Sequence, residues 1–181
     1  MGSIIKVNEY KDFGNNAIMT SDGAGVITPN ADGIKNVPAF SAYQESDTSI
    51  SSATYTKVLC NIEEYDTNSA YDNSSNYRFT VPSGAAGKYL FGAGLMGRST
   101  SDDVITCSVQ FYKNGSAYAN AVMGSNGTSN AAFRGYDCTR TLTIDMAVAD
   151  YMEFYTWIQG TSPIIQVSTK GVFFWGYKLL T

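Results

Sequence analysis

The feature that most constrains this chain is its alternation of apolar and polar residues in short runs, cut by clusters of Gly, Asn, Asp and Ser. From Val104 to Tyr112, the residues Ile105, Cys107, Val109 and Phe111 share one parity, and Thr106, Ser108 and Gln110 share the other. Successive side chains of a β-strand point to opposite faces, so this parity predicts a strand with one face on a core. Asn114-Gly115 follows and predicts a type I′ hairpin turn, because both central positions need positive φ and these two residues tolerate it. Ser116 to Met123 is then the returning strand. Thr141 to Val148 repeats the pattern with Leu142, Ile144, Met146 and Val148 on one face. Helical periodicity is almost absent.

Further strands are expected at Pro38–Tyr43, Tyr55–Ile62, Tyr77–Val81, Lys88–Leu95, Tyr151–Ile158 and Val172–Leu180, with Tyr89, Phe91, Ala93 and Leu95 facing one way. About ten short strands in a segment of this length predict an all-β, two-sheet sandwich of jelly-roll type. The last two runs differ from the rest. Met152 to Ile158 and Val172 to Leu180 carry apolar groups on both parities, so a second face needs cover. In a chain this short, another subunit is the expected cover, with Phe154, Trp157, Phe173, Trp175 and Tyr177 as the interface candidates.

Residues 1–36 read differently. Ile4 to Asn8 resembles one short strand, and the polar turns Gly14-Asn15-Asn16 and Ser21 to Gly25 follow. Ile18, Val26 and Ile27 are too sparse for a core of their own. The segment is either an extended arm that orders against a partner or a strand pair docked on the main domain. The expected organisation is an N-terminal arm over 1–36 and one globular domain over 37–181.

Composition narrows the chemistry. The 181 residues include no histidine, which removes the imidazole of hydrolytic triads and of common zinc and iron sites. A net charge of −4 with 12 basic residues lacks the basic stripe of a nucleic-acid binder. No apolar run approaches the roughly 20 residues that span a bilayer, so no membrane insertion is expected. The N-terminus shows no apolar signal-peptide core. Cys60, Cys107 and Cys138 are odd in number, so at least one is free or bonded to another chain; strand-like surroundings favour buried thiols for Cys60 and Cys107.

Six pieces in register resemble the C1q-type globular domain of the C1q/TNF superfamily. They are Ala39-Phe40-Ser41-Ala42; Glu64-Tyr65-Asp66 with Tyr71-Asp72; Tyr77-Arg78-Phe79-Thr80 with Pro82 and Gly87-Lys88-Tyr89-Leu90-Phe91; Tyr112-Lys113-Asn114-Gly115; Ala149 to Glu153; and Phe174 to Leu180. Two departures fall in expected turns: Ala85-Ala86 stands before Gly87, and Ala149 stands where that family has glycine. No collagen-like repeat precedes the domain. The segments Ile5 to Asn8, Asp12 to Asn15 and Ile18 to Gly25 resemble the leaders of marine bacteriophage structural proteins that carry C1q-like heads. The resemblance implies a homotrimeric, non-enzymatic structural protein on the virion surface, as a capsid decoration or a tail fibre. Residues 1–36 would attach it to other virion proteins, and lysis would account for the missing signal peptide.

The remaining candidates are weighed on chemistry. Glu63-Glu64 are adjacent, so a strand points them to opposite faces and they cannot flank one bond. Asp102-Asp103 in a polar loop are either solvated turn residues or part of a calcium site; no other cofactor is expected. The acids Glu45, Asp47, Glu63, Glu64, Asp66 and Asp72 form either a solvated face or a patch that steers a cationic partner. Loops near 44–54, 66–76 and 124–137 are expected to face outward, with Tyr71, Asn73, Asn126 and Tyr136 as recognition candidates. Tyrosines beside Asn and Ser suit adaptable surfaces, including glycan-facing ones. The alternative function is therefore a module that binds a host-surface glycan or protein receptor.

Overall fold

The computed structural model describes residues 7–30, 35–124 and 134–180. Among them the alternation becomes strands, with no helix. The first eight are β1 (Glu9–Lys11), β2 (Ala17–Ser21), β3 (Ile27–Pro29), β4 (Ala39–Tyr43), β5 (Thr48–Ser49), β6 (Thr56–Lys57), β7 (Ile62–Asp66) and β8 (Tyr71–Asp72). The rest are β9 (Arg78–Thr80), β10 (Gly87–Ser99), β11 (Thr106–Lys113), β12 (Ser116–Gly124), β13 (Gly135–Met146), β14 (Tyr151–Gln159), β15 (Pro163–Gln166) and β16 (Phe173–Lys178).

They form three antiparallel sheets. A first sheet runs β5-β15-β10-β16-β4-β7, with β13 also paired along β10. A second runs β12-β11-β14-β9-β8, with β6 on β14. Among the described residues the strands β1, β2 and β3 pair only with one another. Of the expected strand at Ile4–Asn8, residues 4–6 lie outside the described residues.

The parity of the sequence is kept where strands are long. Tyr89, Phe91, Ala93 and Leu95 of β10 face the interior, as do Cys107, Val109 and Phe111 of β11. The hairpin forms as predicted: Asn114 and Gly115 have φ of 52° and 76°, and Lys113 pairs with Ser116. Strand ends depart from it. Val104 rather than Ile105 turns inward, and Val148, past the end of β13, is exposed. The expected strand over 55–62 splits after β6, and an irregular stretch buries Val58 and Cys60.

The residues that carried the family resemblance meet in one aromatic cluster between the two large sheets. The Phe40 ring stacks on Tyr71 at 4.7 Å and on Phe79 at 5.2 Å, and meets Phe174 edge-on at 4.9 Å. Phe79 in turn packs on Tyr89 and Phe91. Burying each such ring stabilises the fold by about 1.5–3 kcal/mol, which explains why aromatic groups recur at these spacings.

Candidate functional site

The face of the first sheet that points away from the core is aromatic. Its centre is set by register: Gly92 pairs with Trp175 and Gly94 with Phe173. A Cβ at Gly92 would stand 2.2 Å from the indole of Trp175, and one at Gly94 would stand 2.6 Å from the ring of Phe173. The two glycines thus let large rings lie against the strand beside them. Trp175 stacks on Tyr177 with 6.0 Å between centroids. Tyr43, capped by Lys170 at 5.2 Å, extends the surface onto β4. Phe173, Trp175 and Tyr177 are each half-buried. Of the interface candidates, these three share this face.

The other two do not join them. Phe154 has the inward parity of β14, is fully buried, and packs on Phe174. It is a core residue, and the assignment to an interface is corrected on that ground. The sequence pattern misled because Phe154 is the inward member of a strand whose outward residues are also aromatic. Trp157 lies on the outer face of the second sheet.

That second face holds a different aromatic group. Tyr55 packs on Trp157 at 4.8 Å, and Tyr112 stacks on Tyr155 at 4.1 Å. Burial and the flanking tyrosines push the Tyr112 phenol up from its ordinary value. Beside them is an open cleft of about 240 Å³ lined by Tyr55, Gln110, Ala117, Tyr118, Ala119 and Asn120. On the same sheet, Lys57 of β6 bonds Glu153 of β14 at 2.6 Å.

No protein-family model and no curated protein matches the sequence. Solved structures do. Murine APRIL superposes with a TM-score of 0.57 at 13% identity, over 78% of this chain and 98% of that one. Eiger TNF from S. frugiperda gives 0.56 at 12%, over 78% and 91%. The globular domain of zebrafish complement 1qA protein gives 0.51 at 11%, over 78% and 97%. The fold is a C1q/TNF-like jelly roll.

Within this jelly roll the recognition candidates scatter. Tyr71 is buried, and its hydroxyl donates to the Cys60 carbonyl at 3.0 Å, so its assignment to an outward loop is corrected. Burial raises its phenol far above the ordinary value. Tyr136 belongs to β13 and packs against the core, so it too is no loop residue. Asn73 is half-exposed in the turn after β8. Asn126 lies outside the described residues.

Four of the six acids of the 45–72 region have partners of their own, and two of these, Asp66 and Asp72, organise turns. Asp72 accepts from the N–H groups of Ser74, Ser75 and Asn76, and these bonds hold its carboxyl well below the usual range. Asp66 accepts from the N–H groups of Ala70 and Tyr71, Asp47 from that of Val167, and Glu64 pairs with Lys170. Asp103 accepts from the Thr161 N–H at 2.8 Å and its hydroxyl at 2.6 Å, which ties two loops together. Among the described residues no three acidic or cysteine side chains converge as metal ligands do. Cys60, Cys107 and Cys138 are free and buried.

Proposed function

We propose that the protein is a non-enzymatic assembly head: a homotrimer of jelly rolls displayed on a virion surface and attached through residues 1–36. The observation that carries the trimer is the outer face of the first sheet, where Phe173, Trp175, Tyr177 and Tyr43 form one aromatic surface. Aromatic surface of this kind is stabilised by burial against a partner, and copies of the same chain supply a matching one. The resemblance to C1q-type domains implies the same three-fold arrangement. The leader segments between Ile5 and Gly25 support the virion location by their resemblance to phage structural proteins. Capsid decoration and tail fibre are the two placements consistent with that leader.

Light scattering on the eluting protein tests the assembly: about three times the 19.6 kDa chain mass is expected, and a one-subunit mass at micromolar concentration overturns it. Cryo-electron microscopy of particles from a producing lysate tests the location. Density for the head on capsid or tail is expected; particles without it refute the virion role.

A second reading, recognition of a host surface, is favoured by the cleft beside Tyr118 and Gln110. It shares the fold and the trimer and differs in what the second sheet does.

A further inference from the structure

We infer that the cleft on the second sheet is a binding site for a neutral glycan, occupied by one pyranose ring of a longer chain. The inference deepens the recognition reading above and rests on it. The decisive residue is Gln110. It sits at the floor of the cleft, between Asn120 of β12 and Tyr155 of β14 in the strand register. Only 5% of its surface is exposed, yet its side-chain amide has no hydrogen-bond partner among the described residues. A primary amide in such a place carries both donors and an acceptor that no described residue uses. The amide still opens onto the cleft, so a ligand seated there would take the place of water on it.

The walls define the partner's chemistry. Tyr55 and Tyr118, each about half exposed, flank the amide, and Asn120 adds a second amide at the rim. Rings that offer an apolar face beside amide donors and acceptors suit a ligand with one flat C–H face and a rim of hydroxyls. A sugar hydroxyl both donates and accepts, which matches Gln110 and Asn120 without a charge. Among the described residues no charged side chain lines the cleft. On the same sheet the ion pair of Lys57 with Glu153 is closed on itself at 2.6 Å, with Lys57 also donating to the Asn76 carbonyl. An anionic or cationic ligand would therefore find no counter-charge. With the first sheet turned to the three-fold axis, the second faces solvent on every subunit. Three weak sites then act together through avidity.

The test is an array of neutral oligosaccharides (gluco-, manno- and galacto-configured) with sialylated and sulfated glycans beside them, probed with labelled trimer. The variants are Tyr118→Ala and Gln110→Leu, checked by circular dichroism and by mass. Retention on at least one neutral series is expected, with at least a tenfold loss in both variants and competition by the free monosaccharide. The site is overturned by retention on anionic glycans alone, by no retention of a folded trimer, or by variants that bind as well as the parent. Binding of the trimer to host cells in the absence of any glycan retention would sink the cleft while leaving the recognition reading intact. Where Gln110→Leu fails to fold, the surface variant Tyr118→Ala and an Asn120→Ala variant carry the test.

Discussion

The indole of Trp175 occupies the space where a side chain of Gly92 would begin: a Cβ there would lie 2.2 Å from its ring carbon Cζ2 and 2.8 Å from Nε1. The two residues are direct cross-strand partners on β10 and β16. Gly92→Ala must therefore push the indole off the sheet. Overpacking of this kind costs about 1–3 kcal/mol, and here it also reshapes the proposed subunit interface. The expected outcome is a trimer that dissociates at concentrations where the parent remains whole, read by light scattering across a dilution series. Trp175→Leu, which removes the ring without a clash, should weaken the trimer while leaving the monomer folded. A Gly92→Ala protein whose trimer survives dilution as the parent does would show that this face is not the interface.

Ala149 stands in the β13–β14 turn with φ at +67°. An L-residue pays about 1–2 kcal/mol for this left-handed conformation, whereas glycine adopts it freely. Glycine also gains freedom in the unfolded chain, which offsets part of the benefit. Ala149→Gly should stabilise the fold by about 0.5–1 kcal/mol net, or raise the melting temperature by about 1–4 °C. The turn's bond from the Ala149 N–H to the Val81 carbonyl is preserved in the variant. Calorimetry on the two proteins decides it; an unchanged or lower melting temperature contradicts the strain argument.

How much of this was legible in the sequence depends on whether the deciding information is local. Parity within one strand identified the inward Tyr89, Phe91, Cys107, Val109 and Phe111, because alternation is a property of the strand itself. The Asn114-Gly115 turn was legible for the same reason. Which face of a two-sided strand meets the core is not local, and Phe154 was misassigned on that account. Tyr71 resembled a loop residue from its Asp and Asn neighbours, yet a two-residue strand carries it inward onto Phe40. The cleft around Gln110 could not be read at all. It depends on β11 lying between β12 and β14, which brings together residues from Tyr55 to Asn120. The one available signal was Gln110 itself, an amide in the middle of a buried strand.

Acid should weaken the fold through its turn carboxylates. Lys113, the Asn114 amide and the Ala147 N–H hold Asp150 at about 2; Ser99 and Thr161 hold Asp103 at about 2; Asp72 is also depressed. Their ordinary value is 3.8, so folding favours the ionised form. The stabilisation is complete above that value and is lost as pH falls through about 2. Glu63 acts in the opposite sense, since burial and then Asp66 and Asp72 raise it. Urea midpoints should therefore drop progressively below about pH 4. Asp150→Asn should lower stability at pH 6 and make the acid limb shallower. An acid limb of unchanged steepness in that variant would show that Asp150 is not among the groups responsible.

The pair Lys57–Glu153 offers a test of how buried charge is held on the second sheet. Glu153 is 5% exposed and keeps its carboxylate against Lys57 at 2.6 Å, while the Lys57 ammonium also lies 5.6 Å above the Tyr155 ring. Removing the cation alone leaves a desolvated carboxylate, which costs about 3–5 kcal/mol where both partners are buried. Lys57 retains a quarter of its side-chain surface, so water reaches the site and Lys57→Met should cost less, about 2–4 kcal/mol. Removing both charges lifts that penalty: Lys57→Met with Glu153→Met should recover most of the loss, because the methionine stems still cover Tyr155 and the sheet. A double-mutant cycle in urea measures the difference. A double variant no more stable than Lys57→Met alone would mean that the packing of the lysine stem, not the unpaired carboxylate, sets the cost.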